Sequence, residues 1–98
     1  MTEIEHIKNV LSQEKPELSI LGVNEIGIFG SFIRGNAGPD SDIDILLDVS
    51  DDSSLTLFSL ADIQIRLSEK LNRKVDLVVK RDLKPNIGKK ILSEVEYV

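Results

Sequence analysis

At 98 residues, 41% hydrophobic and 30% charged, the chain is long enough for one compact core and is not compositionally disordered. The absence of cysteine and a single histidine, His6, exclude a disulfide framework, a thiolate nucleophile and zinc sites built on His and Cys. A net charge of −5 argues against a nucleic-acid-coating surface, and no apolar run approaches the roughly 20 residues needed to span a bilayer.

The first ten residues, MTEIEHIKNV, are acidic and amphipathic, unlike a secretory signal, so a cytoplasmic protein of one domain (1–98) is expected. Thr2-Glu3-Ile4-Glu5 fits a capping box, and Ile4, Ile7, Val10 and Leu11 recur at helical spacing. A helix over about 3–14 is predicted, with Pro16 barring its continuation. Residues 23–29 (VNEIGIF) form a strand by composition and close on Gly30-Ser31, where a short helical turn can start. Residues 36–41 (NAGPDS) are a turn cluster, and Asp42 to Val49 (DIDILLDV) is the clearest strand. Ser53 or Ser54 is placed to cap a second long helix with Leu57, Leu60, Ala61, Gln64, Leu67 and Leu71 on its core face. Asn72 is suited to stop that helix in a left-handed conformation. Lys74 to Lys80 (KVDLVVK) is a further strand, and Ile87, Ile91, Leu92 and Val95 after Pro85 predict a last helix. This order gives an α/β domain with a small mixed sheet packed with helices. The short link between the first two strands favours an antiparallel pair, and the long helix before the third permits a parallel crossover.

Charge is unevenly spread. Residues 1–65 hold 3 basic and 12 acidic residues, whereas residues 66–98 hold 9 basic and 5 acidic. Strand alternation puts Asp42 and Asp44 on one face and Ile43 and Ile45 on the other, so two carboxylates crowd each other. Asp76 stands among Val75, Leu77, Val78 and Val79, in a strand otherwise fit for burial. If the two strands are neighbours, three carboxylates converge into the oxygen-rich environment Mg²⁺ prefers, and two such ions suit in-line phosphoryl displacement. In Gly30-Ser31-Phe32-Ile33-Arg34-Gly35, free amides and the Ser31 hydroxyl are able to hold phosphate oxygens. A Walker loop is excluded, because Asn36-Ala37 stands where Lys-Ser/Thr is required, and no G-x-G-x-x-G is present. The acidic 40–52 segment lacks the spacing of an EF-hand. Arg73, Lys74, Lys80, Lys84, Lys89 and Lys90 read mainly as a solvated face, and His6 and Tyr97 as surface residues.

Gly30-Ser31, ten residues, then Asp42-x-Asp44, with Asp76 on a later strand, resembles the signature of the DNA polymerase β-like nucleotidyltransferase superfamily. The longer string GSFIRG…SDIDILLDV, with KVDLVV and ILSEVEYV after it, resembles the minimal nucleotidyltransferases, the antitoxin halves of HEPN/MNT toxin–antitoxin pairs. The resemblance implies a DNA polymerase β-like core and Mg²⁺-dependent transfer of AMP from ATP to a hydroxyl, with pyrophosphate release. It implies as acceptor a tyrosine on a cognate HEPN-family toxin, a ribonuclease that is silenced by the modification. Under it, Gly30 and Ser31 hold the β- and γ-phosphates, Asp42 and Asp44 ligate both metals, and Asp76 ligates one and helps to deprotonate the acceptor. Arg34 either contacts phosphate or makes a pairing that holds the loop. The acidic charge argues against direct nucleic-acid binding, and the small size against a separate acceptor lobe. The alternative is an antitoxin that neutralises its partner by binding alone, without catalysis.

Overall fold

The computed structural model describes all 98 residues. Helix α1 (Glu3–Ile20) starts as expected, with the Thr2 hydroxyl accepting from the Glu5 N–H at 3.2 Å. It does not stop before Pro16 but runs through it. The proline removes the amide that would have bonded the Ser12 carbonyl, yet Ser12 is exposed and water can serve that carbonyl. Burying Leu18 beyond the proline contributes roughly 1.5–3 kcal/mol against a proline cost of about 3 kcal/mol. The ion pairs of Glu14 and Glu17 with helix α3 (Leu57–Leu71) help to close the gap. Glu14 is itself buried, accepting from Arg66 Nη2 at 3.0 Å and from Lys70 Nζ, while Glu17 Oε2 takes Arg66 Nη1 at 3.0 Å.

Strands β1 (Val23–Phe29), β2 (Ile43–Val49), β3 (Val75–Val79) and β4 (Glu96–Tyr97) form one mixed sheet in the order β3-β2-β1-β4. As expected, β1 and β2 are antiparallel, and the crossover through α3 makes β2 and β3 parallel. A bulge between Val23 and Glu25 sets the phase of β1, so that Val23, Ile26 and Ile28 share the core-facing side. The two-residue β4 is an addition to the sequence reading. It pairs with Gly27 and Ile28 of β1 and is too short to carry a periodic signal. Gly27 permits this closeness, because a Cβ there would lie 2.4 Å from Val95 Cγ2.

The cap of α3 is Thr56, whose hydroxyl accepts from the Ser59 N–H at 3.1 Å, not Ser53 or Ser54. Ser53 is engaged elsewhere, donating to the Leu21 carbonyl and accepting from the Leu55 N–H. Asn72 does end the helix, at φ 53°. The buried stripe is rotated toward Ile63, with Leu67 and Leu71, leaving Leu57 and Ala61 exposed. In the last helix, α4 (Pro85–Glu94), Ile91 is buried as expected, whereas Ile87 and Leu92 face solvent. No helix is long and apolar enough to cross a membrane.

The sheet separates two layers. Helices α1 and α3 cover one face over a cluster that includes Ile7, Leu11, Ile45, Leu47, Leu67 and Val75. On the other face α4 covers a small cluster of Phe29, Leu46 and Ile91, with Val78, Leu83 and Val95 against it.

Candidate active site

The second face of β2 carries Asp42, Asp44, Leu46 and Asp48 in alternation with the core residues Ile43, Ile45, Leu47 and Val49. Asp42 lies just ahead of the strand, whose first residue is Ile43. Parallel pairing sets Asp44 directly beside Asp76. Burial, then the charges of Asp76 and Asp42, raise the Asp44 carboxyl above its ordinary value of 3.8; Arg34 opposes the rise and Glu94 adds to it. Two of the carboxylates the sequence singled out, Asp76 and Asp42, thus bear on the third, Asp44. Lys74 Nζ stands 3.9 Å from Asp42 Oδ2, a pair open to solvent.

Gly30 ends β1 at φ 80°, ψ −152°, a conformation essentially confined to glycine. A Cβ there would lie 2.1 Å from Asp44 Oδ2, so the absence of a side chain is what lets the turn lie against the carboxylate. Ser31 opens the short helix α2 (Ser31–Arg34), whose Ile33 and Arg34 amides bond the Gly30 carbonyl at 3.0 Å. Gly35, at φ 80°, closes it. Arg34 reaches across to Glu94, with Nη1 donating to both carboxylate oxygens at 3.1 and 3.2 Å. Of the two roles left open for Arg34, this contact is the loop-holding pairing. A cavity of about 270 Å³ beside it is lined by Phe29, Gly30, Arg34, Asp44, Ile87, Lys90, Ile91 and Glu94.

Two contributors were not singled out for these roles. Glu94 sits in the last turn of α4, and nothing local distinguishes it from a solvated helix residue. Arg73, read as part of a solvated face, organises the 36–41 turn instead. Its Nη1 donates to the carbonyls of Gly38, Pro39 and Ser41 at 2.8–3.1 Å, its guanidinium lies 4.9 Å from the Phe32 ring centre, and Glu3 pairs with it. His6 is exposed on α1, as expected, and Tyr97 is at the surface too, but in the edge strand β4 that the sequence reading lacked.

No three carboxylates stand in a ready metal-holding geometry. The chemistry of the donor set nevertheless fits a hard divalent cation: all donors are carboxylate oxygens, and Asp44 is held partly against ionisation by burial first and then by its charged neighbours. What the arrangement offers is a like-charged cluster that a cation would relieve, beside a tight glycine turn and an arginine suited to phosphate.

The nucleotidyltransferase domain model matches residues 4–98. The chain belongs to that family. It is 44% identical to the protein adenylyltransferase MntA of Thermococcus cleftensis, an alignment covering 100% of this chain and 98% of that one. With this relative the chain is an enzyme of the minimal nucleotidyltransferase group, a protein adenylyltransferase. Among solved structures, a chain of a toxin–antitoxin complex with AMP-PNP superposes with a TM-score of 0.76 at 22% identity, covering 93% of this chain and 70% of that chain. A chain from the Shewanella oneidensis complex of a tri-AMPylated HEPN toxin with its MNT antitoxin superposes with a TM-score of 0.70 at 19% identity, covering 98% and 71%. At those identities the two structures bear on the fold, which is the minimal nucleotidyltransferase core.

Proposed function

We propose that this protein transfers AMP from ATP, with Mg²⁺, to a tyrosine hydroxyl of a HEPN-family toxin, silencing it in the cytoplasm and so acting as an antitoxin. The observation that carries the reading is the in-register pair of Asp44 and Asp76 beside the Gly30 turn. The tri-AMPylated HEPN toxin in the Shewanella complex and the AMP-PNP bound in another toxin–antitoxin complex support the choice of nucleotide and partner.

The Gly30 turn, whose own N–H goes to Glu94, would present Ser31, and the Ser31 hydroxyl and amide would bind the β- and γ-phosphates while Arg34 offsets their charge. Asp42 and Asp44 would hold two Mg²⁺ ions, with Asp76 a ligand to one. Bound there, the ions would polarise the phosphate oxygens and make the acceptor hydroxyl more acidic. The acceptor oxygen attacks the α-phosphorus, the bond from that phosphorus to the bridging oxygen breaks, and pyrophosphate leaves. Asp76, on the acceptor side, takes the hydroxyl proton. The toxin tyrosine ends as its AMP ester, and atoms and charge balance.

Asp76→Ala tests this. Asp42 and Asp44 suffice for the nucleotide, so the variant should keep its affinity for ATP while transfer falls steeply. Each protein is incubated with the partner toxin, ATP and Mg²⁺, and the toxin is weighed by intact-mass spectrometry and assayed for ribonuclease activity. The expected result is AMP-sized increments and silencing with the wild type, and an unmodified, active toxin with the variant. Equal silencing of an unmodified toxin by both proteins would replace catalysis with neutralisation by binding.

A further inference from the structure

The loop assigned to the triphosphate is held by a residue 64 positions away. Glu94 closes α4, and only 18% of its side chain is exposed. Its Oε1 accepts from the Gly30 N–H at 3.0 Å and from Arg34 Nη1 at 3.1 Å, and its Oε2 takes the same Nη1 at 3.2 Å. Every hydrogen bond of this carboxylate thus goes to the Gly30–Arg34 loop.

Stability alone is a poor reason for a carboxylate here. An ion pair whose arginine is half exposed adds little stability, and Ile87 and Ile91 already line this cavity for apolar packing. The carboxylate also adds negative charge to a site that holds Asp44. What it does provide is geometry. A guanidinium carries donors on three nitrogens in a rigid plane, and Glu94 takes only Nη1. Arg34 is thereby fixed at one corner, with Nε and Nη2 left for another anion. The same carboxylate pins the amide of Gly30, the residue whose backbone conformation shapes the turn.

We infer that Glu94 is a positioning residue for the nucleotide, which holds Arg34 and the Gly30 turn in their binding arrangement before the triphosphate arrives. The inference rests on the assignment of the loop to the triphosphate. Its consequence is that the C-terminal end of α4, joined through Val95 to the edge strand β4, is mechanically part of the nucleotide site.

The probe is α,β-methylene-ATP with Mg²⁺, whose α–β bond resists cleavage, titrated by calorimetry, with a melt recorded for each protein. Glu94→Ala should weaken binding about tenfold, because Arg34 must then be ordered at the moment of binding. Glu94→Gln keeps an acceptor but loses the charge, and should weaken it about threefold. In transfer assays KM for ATP should rise more than kcat falls. In an Arg34→Ala background, Glu94→Ala should weaken binding by less than about threefold, since the Arg34 contact is already lost and only the hold on the Gly30 amide remains. Should the alanine variant not fold, the glutamine variant carries the measurement. Glu94 variants that bind the analogue as tightly as the wild type, or more tightly, would overturn the inference, the latter by making Glu94 a competitor of phosphate. So would fully additive losses with Arg34→Ala. A wild-type protein that does not bind the analogue would instead fail the assignment of the loop, and the inference with it.

Discussion

The two faces of the sheet are built from the same strands and obey opposite rules. Under α1 and α3 the face is apolar and closed: Ile43, Ile45 and Leu47 of β2 share one cluster with Leu11, Leu67 and Val75, and the one buried charge in the layer, Glu14, is paired with Arg66 and Lys70. Under α4 it is sparse, with three buried apolar residues and a row of carboxylates one pleat away from the core. The lesson is that a 98-residue chain can hold an unfavourable cluster of like charges because it concentrates its packing on the other side. One face supplies the stability, and the other is free to be electrostatically strained.

The largest test of that division is Asp42→Asn. Loss of a metal-binding carboxylate should lower transfer at least about a thousandfold, roughly 4 kcal/mol of transition-state stabilisation. The melting temperature should not fall, because the residue packs against nothing in the closed layer. Full activity in a well-folded variant would remove the metal assignment.

Next come the apolar residues. Leu67→Ala empties a fully buried site in the closed layer and should cost about 2–5 kcal/mol. Ile91→Ala lies beside the cavity and in the smaller cluster, where neighbours have room to relax, and should cost about 2 kcal/mol, the low end of that range. Denaturant titration of both variants compares them, and a larger loss at Ile91 would erase the contrast between the faces.

The smallest effect is on pH dependence. The Asp44 carboxyl is raised in the folded protein, so the native state holds that proton more tightly than the unfolded chain does. The penalty is absent below the ordinary value of 3.8, where both states are protonated, and complete once the pH passes the raised native value. Asp44→Asn cannot ionise, so without metal it should melt slightly above the wild type at pH 7, and this advantage should shrink as the pH falls toward 3.8. Mg²⁺ should narrow the gap at pH 7 by stabilising the wild type alone. A variant that melts below the wild type at neutral pH would contradict repulsion at Asp44.

The sheet and the three aspartates were legible because their signal is local. The alternation in DIDILLDV fixes which residues share a face, and the glycine at position 30 marks a turn that other residues cannot make. What escaped depends on distant partners. Pro16 stops a helix only if nothing beyond it is worth burying, and Leu18 is worth burying because α3 shares that layer. Ser53 has the chemistry of a cap, but the Leu21 carbonyl claims its hydroxyl. Glu94 and Arg73 look like solvated helix-end residues until the fold brings the Gly30 turn to one and the 38–41 carbonyls to the other.

The parallel pairing of Asp44 with Asp76 divides the chain into stretches that differ in tolerance to changes of length. The connection from Ser50 to Thr56 lies between elements, and a residue gained or lost there leaves the phase of both strands intact. A single residue inserted between Val75 and Asp76 would be different. It would turn the carboxylate over into the greasy layer and leave the inserted residue in its place, inverting every side chain that follows in the strand. Drift in this protein should therefore accumulate as loop-length variation around strands whose reading frame is rigid, and a library of one-residue insertions would map that frame directly, position by position, through loss of transfer.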